Sequence, residues 1–213
     1  MSQRWGIRFA IQGDLRFLSH HDMMRLAERA ARRAALPLRY SQGYNPRPVL
    51  SLACPRPVGV ASRDELLVLT LEEDIGPQDL PARLNQCSPP GMRVLEARPL
   101  EGKPRLVTQE FELPLREEAA AAVAARLEEL TGQDHWPVER ITSPKQGRKE
   151  KQVRPVDLKP LIEDLRLDQG VLRWRLRPQG DLWARPGEVL ALLGLDDRVD
   201  LARVERTAVE YKT

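Results

Sequence analysis

Two adjacent histidines, a group of tyrosines and a dense run of arginine are the residues of this chain best suited to chemistry. His20 and His21 stand in the stretch LSHHDMMR, beside Ser19 and Asp22. One histidine, with Tyr40 or Tyr44 and a nearby cation, could cleave RNA by metal-free acid–base chemistry, so His20 and His21 are the candidate catalytic residues. Neighbours on a helix point about 100° apart, so the two cannot act on one atom together. Arg25, Arg29, Arg32 and Arg33 follow a helical period with only Glu28 to offset them. Beyond them, SQGYNPRP carries Tyr44, Asn45 and Arg47 on a loop held by proline. Cations beside exposed aromatic faces are what recognition of single-stranded RNA requires. Arg16 and Arg39 join that candidate set, as do Lys145, Arg148, Lys149 and Lys151 further on, where contacts to phosphate would act through counterion release. The plainer reading of the same pattern is a solvated helix face and a solubilising loop.

Other chemistries find no support. Cys54 and Cys87 are the two cysteines of the chain, which excludes a disulfide framework and a zinc spacing. Two isolated cysteines also cannot supply the Cys-x3-Cys-x2-Cys ligands of a radical-SAM cluster. No Gly-rich phosphate loop and no Glu/Asp/His metal spacing occurs, so neither a metal nor a cofactor is expected.

The elements that must position these residues follow from periodicity. RWGIRFAIQGD alternates Ile7, Phe9 and Ile11 against Gly6, Arg8 and Ala10, a half-buried strand. Ser19 with Asp22 three residues later is a capping box with Asp at its end, and opens a helix whose apolar face is Met23, Leu26, Ala27, Ala30 and Ala34. Leu36-Pro37 ends it. LRYS, VLSLAC and DELLVLTLEED read as strands, PQDLPARLN as a second helix and MRVLEARPL as a strand. The order is strand, helix, strand, strand, helix, strand, a ferredoxin-like (split βαβ) arrangement.

After the joint Glu101-Gly102-Lys103-Pro104 come the strand TQEFELPL, the helix REEAAAAVAARLEELTG, the strand WPVERI and an exposed basic loop, SPKQGRKEKQVRP. VDLKPLIEDLRLD reads as strand-like pieces and GVLRWRLRPQG as a strand with Trp174 inward and Arg173, Arg175 and Arg177 outward, a row that could extend a basic surface. PGEVLALLGL is a short helix with Pro186 at its start and Gly194 at its stop, and VDLARVERTAVEYK closes with a strand. The expected architecture is α+β: two tandem ferredoxin-like domains, antiparallel sheets with helices on one face. The expected boundaries are 1–100 for a basic N-terminal domain and 105–213 for a C-terminal domain carrying the basic loop 143–155.

Bulk composition sets the setting. The 213 residues are 41% hydrophobic and 31% charged, enough for a real core under a polar surface. No run of eighteen apolar residues exists to span a membrane, and MSQRWGIRF holds no apolar signal region, so the expected compartment is the cytoplasm. The formal net charge is +3, and its distribution says more. Residues 1–63 hold eleven Arg against three acids, 64–140 eight basic against sixteen acidic, 141–160 six against two, and 161–213 come to −1. Two basic segments flank an acidic one, a footprint for a polyanion or for self-association.

Phe17-Leu18-Ser19-His20, Asp22-Met23, Arg25, Ser41-Gln42-Gly43-Tyr44-Asn45-Pro46 and Pro57-Val58-Gly59 together resemble the radical-SAM-linked protein family, a bacterial domain of uncharacterised function. Lys149 to Val153, Val156 to Leu161 and Ala184 to Leu190 carry the resemblance through nearly the whole chain. His21 stands where that family more often has Leu, Tyr44 where Phe is common, and Arg154-Pro155 interrupts the Gln-Val-Asp-Leu run. The family is similar in outline to RNA-handling proteins with paired ferredoxin-like domains, including CRISPR repeat-processing endonucleases, and its members occur fused to or encoded beside cobalamin-binding radical-SAM proteins. The resemblance implies a partner role beside a radical-SAM protein in trans; with the basic and aromatic residues above, the expectation is an accessory protein that binds RNA, tRNA or rRNA, and presents it to that partner. A metal-independent endoribonuclease, and a docking adaptor that meets protein and no RNA, are the alternatives.

Overall fold

The computed structural model describes residues 2–142 and 152–212. They fold as an α+β protein with mainly antiparallel strands, in two compact units, Met1–Val107 with Glu205–Thr213 and Thr108–Val204.

The first unit holds β1 (Gln3–Ile11), α1 (His20–Arg33), β2 (Leu50–Leu52), β3 (Ala61–Leu71), α2 (Asp79–Cys87) and β4 (Met92–Pro99), in the order expected from the sequence. β1 pairs antiparallel with β3, from Gln3 opposite Leu71 to Ile11 opposite Ser62, and with β4 on its other edge. β2 runs antiparallel to β3 along Leu67–Leu69. Alternation sorts the two faces. Trp5, Ile7, Phe9 and Ile11 join Leu67, Leu69, Leu71, Met92 and Val94 in one core, which Met23, Leu26, Ala27 and Ala31 of α1 and Leu80 and Leu84 of α2 cover. Burying each large side chain contributes roughly 2 kcal/mol, and a one-residue slip in register would turn all of them to the wrong face. The even-numbered positions of β1 and β3 face away from the helices, where Leu66, Val68 and Leu100 form a smaller cluster.

Helix α1 starts as its sequence requires. The Ser19 hydroxyl accepts from the Asp22 N–H at 3.2 Å and donates to Asp22 Oδ2 at 2.7 Å. At its end Ala35 adopts a φ of +47°, and Arg83 of α2 donates to the carbonyls of Ala34 and Ala35 at 2.6 and 2.7 Å. Those carbonyls have no partner within the helix, so Arg83 supplies what the helix end leaves unsatisfied. LRYS contributes only isolated bridges, Leu38 to Leu71 and Tyr40 to Pro48, because the proline-held loop that follows prevents a longer ladder.

The second unit contains β5 (Arg105–Pro114), most of which lies beyond its first residue, α3 (Glu117–Thr131), β6 (Pro137–Thr142), β7 (Gln152–Asp157), β8 (Ile162–Asp168), β9 (Val171–Leu176), α4 (Pro186–Leu192) and the single turn α5 (Asp197–Asp200). β9 sits between β5 and β8, antiparallel to both, and Trp174 stacks on Phe111 with ring centroids 5.4 Å apart. β6 and β7 form a separate two-stranded ribbon. The basic segment expected to be loop throughout is therefore strand from Gln152 onward. The last strand, β10 (Glu205–Lys212), returns to the first unit and runs parallel to β3, with Arg206 opposite Ser62.

A cationic groove as candidate nucleic-acid interface

The first unit places a groove of about 600 Å³ on the sheet face turned away from its helices. Register explains why. Arg4 lies opposite Thr70, and Ser51 opposite Val68, so these side chains share the face that the helices do not cover. Val49, Ala53, Val68, Pro48 and Pro104 make the apolar part of the lining, and Arg4, Arg47 and Lys103 are the cations. Among the described residues no carboxylate lines this groove. None of the three cationic side chains has an acidic partner within it. A second depression of about 470 Å³ shares Arg4, Ser41, Val49 and Thr70 with it, and adds Arg39, Tyr40 and one carboxylate, Glu101, to the lining.

The loop that carries half of these groups is held from inside. Ser41 donates its N–H to the Arg47 carbonyl at 2.8 Å, and its hydroxyl accepts from the Arg47 N–H at 3.0 Å. The Arg39 N–H reaches the Thr70 carbonyl at 2.9 Å, and the Val49 N–H reaches the Arg39 carbonyl at 2.8 Å. Arg39 donates from its guanidinium to the Ser2 hydroxyl at 2.8 Å. Arg32, at the end of α1, lies 5.8 Å from the Tyr40 ring centroid, so one helix arginine reaches the edge of the groove.

The other candidates from the sequence fall elsewhere. Arg25 and Arg29 are exposed on the outer side of α1, whose inner side is packed on the opposite sheet face, so they do not join the groove. Arg25 lies 3.5 Å from Asp22, Arg32 pairs with Glu28 at 2.8 Å, and Arg33 bonds the Cys87 carbonyl. Arg16 lies over the Phe17 ring at 4.8 Å in a 3-10 turn, Gly13–Phe17. Tyr44 is 100% exposed, Asn45 is exposed beside it, and neither lines the groove. Lys145, Arg148, Lys149 and Lys151 lie outside the described residues. The row Arg173, Arg175 and Arg177 does not extend a basic surface. Its guanidiniums meet Asp168 at 2.8 Å, Glu110 at 2.5 Å and Glu163 at 2.5 Å, because β5 and β8 present acids on the same face. Arg4 and Lys103 are groove residues that sequence reasoning did not single out. The signal for Arg4 was its parity with Gly6 and Arg8, opposite to the apolar Ile7 and Phe9.

His20 and His21 are exposed at the start of α1, their rings 5.6 Å apart. His20, Ser19, Arg56 and Glu65 border a crevice of about 10 Å³, room for no more than a single water. Behind it lies a buried polar network. Arg206, 0% exposed, pairs with Glu65 and donates to the Cys54 carbonyl at 3.0 Å. Arg56 donates to the carbonyls of Arg16 at 2.7 Å and Leu15 at 2.8 Å. Burial pushes the Cys54 thiol up and lowers the Arg56 guanidinium. Burial also works against the charge on Arg206, yet Glu65, Cys54 and Tyr211 together outweigh it and hold that guanidinium above its ordinary value. The Tyr211 phenol is likewise raised, mainly by burial. This network fixes the turn before α1, and offers no cleft for a substrate. Among the described residues no cluster of three or more His, Cys, Asp or Glu could hold a metal ion, and no helix is long and apolar enough to cross a membrane.

Residues 4–186 match a family described as an uncharacterized protein conserved in bacteria (DUF2344). No curated protein matches the chain in sequence. The crystal structure of an unknown protein from Galdieria sulphuraria is similar over 100% of each chain, at 14% sequence identity and a TM-score of 0.28, a likeness that carries no argument.

Proposed function

We propose that this chain, which belongs to the bacterial family DUF2344, is an RNA-binding accessory protein that presents a tRNA or rRNA to a radical-SAM partner enzyme acting in trans. The observation that carries RNA binding is the groove itself: Arg4, Arg47 and Lys103 converge on one open sheet face without carboxylates among the lining residues described. Three unneutralised cations around a concave surface are suited to phosphates, and an excess of one sign in a cleft focuses its field on a polyanion. The radical-SAM partner rests on the sequence resemblance of the FLSH, SQGYNP and ARPGEVL motifs, and the finer fold, two tandem ferredoxin-like domains, rests in the first unit on the strand order β4-β1-β3-β2, all antiparallel. An endoribonuclease reading would have to use His20 and His21 from the open surface, since the crevice beside His20 has room for no more than a single water.

The test is the salt dependence of RNA affinity. Three phosphate contacts to a single strand predict that log affinity falls against log salt with a slope of about −2. Arg47→Glu with Lys103→Glu, both exposed positions, should flatten that slope and weaken binding at low salt at least tenfold. Affinity that is flat in salt, or untouched by these changes, would overturn the reading and leave a protein-docking role for the basic residues.

A further inference from the structure

We infer that the groove takes an unpaired, single-stranded segment of RNA, with a base stacked on Tyr40 and its neighbours laid on the apolar floor. This rests on the RNA-binding reading above and names the form of RNA that the site accepts. The lining is not only cationic. Val49, Ala53, Val68, Pro48 and Pro104 form a recessed apolar surface between Arg4, Arg47 and Lys103. A site that held only phosphates would gain nothing from that surface, because the backbone of a duplex offers it no apolar partner. The bases of an A-form duplex are paired and stacked, and its deep groove excludes side chains, so base faces reach a recessed floor only from an unpaired strand.

Tyr40 supplies the second element. Tyr40 as a residue is 38% exposed, its backbone is fixed by the bridge to Pro48, and Arg32 lies 5.8 Å from the ring centroid. An accessible aromatic ring held in place beside a cation is a platform for a base, and stacking of this kind accepts any base because each has a π face. The two depressions are neighbours that share Arg4, Ser41, Val49 and Thr70 in their linings. A strand lying along them would set phosphates against Arg4, Arg47 and Lys103, with Arg39 beside the second depression, while its bases meet first the floor and then the ring. Tyr44, although fully exposed, stands outside both depressions and has no such role.

The experiment measures binding of the full chain to three fluorescein-labelled probes: a twelve-nucleotide oligouridine, an abasic strand of the same length, and a twelve-base-pair RNA duplex. Binding to the oligouridine should exceed binding to the other two by tenfold or more. Tyr40→Ala should remove most of that preference without changing the salt slope, because it deletes stacking and no charge, and Tyr40→Phe should retain it. If duplex and abasic strand bind as tightly as oligouridine, and all three are lost on Arg47→Glu with Lys103→Glu, the RNA-binding reading stands and the single-strand inference falls. If none of the probes binds with a salt slope, both fall. A preference for oligouridine that persists in Tyr40→Ala would overturn the stacking role of Tyr40.

Discussion

Asp157 shows how one carboxylate can hold several elements of the second unit. Its Oδ2 lies 2.7 Å from His135 Nδ1, and its Oδ1 accepts from the backbone N–H of Trp136 at 2.8 Å and of Lys159 at 3.1 Å. Burial alone would raise this carboxyl. The hydrogen bonds from His135, Trp136 and Lys159 outweigh it and hold the group below the usual carboxylate range. A lowered folded-state pKa means stability that is present above the unfolded value, about 3.9, and is lost as pH falls through the folded one. Asp157→Asn should therefore destabilise the protein at neutral pH by about 1 kcal/mol, discounted for the partial exposure of the site. The gap to the parent should shrink below about pH 4 as the parent's own carboxylate is protonated. Urea unfolding at pH 7 and pH 3 checks this, and an unchanged gap at the lower pH would mean that charge is not what the site uses.

At the scale of elements, the β6–β7 ribbon poses the clearest problem. A two-stranded hairpin is marginal on its own in water, so something must anchor it. Arg140 of β6 does so, gripping Glu188 of α4 with both prongs at 2.6 and 2.7 Å and the Trp183 carbonyl at 2.7 Å. Glu188 also accepts the Arg185 N–H at 2.8 Å, so the same carboxylate caps α4. Glu188→Ala leaves Arg140 buried without its partner, and should cost about 3 kcal/mol. Amide exchange should rise across β6, β7 and the first turn of α4 while the β5–β9 ladder stays protected. Uniform loss of protection instead would show that the ribbon is not separately anchored. Elements whose cues are local were legible in the sequence: the alternation of β1, the Ser19 cap, the Pro186 start and the inward Trp174. Those that depend on a distant partner were not. Nothing near Arg140 announces Glu188, and Pro155 and its charged neighbours hide a strand that only pairing with β6 creates. The three β9 arginines looked like a basic row because the acids that neutralise them stand on β5 and β8. The groove was half legible: Arg39 and Arg47 came from the loop composition, whereas Arg4 needed the register of β1 against β3, and Lys103 stands in the connection between β4 and β5, where nothing local points to the groove.

For the molecule as a whole, the decisive feature is that both ends of the chain contribute strands to the same unit. β1 opens it and β10 returns to it after nearly a hundred residues of the second unit, pairing with β3 at Glu205 and Arg206. Side chains add to the pairing of this strand. Arg206 enters fully buried, pairs with Glu65 and donates to the Cys54 carbonyl and to the Ser62 hydroxyl, while Asp64 accepts the Val209 N–H at 2.9 Å and pairs with Arg8 at 2.5 Å. Ionic groups this deep add little net stability when intact, yet removing one partner strands the other in a place where water cannot reach it. Arg206→Met should therefore destabilise the chain by about 3–5 kcal/mol, and adding Glu65→Met should recover only part of that loss, because the buried Arg56, 4.0 Å from Glu65, then loses its own partner. A fragment of residues 1–107 lacks the whole of β10 along with Arg206, and should unfold at much lower urea than the full chain. Equal stability of Arg206→Met and the parent would show that β10 is held by its ladder alone. Partial recovery in the double variant would show instead that the loss in Arg206→Met comes from the charge it strands on Glu65.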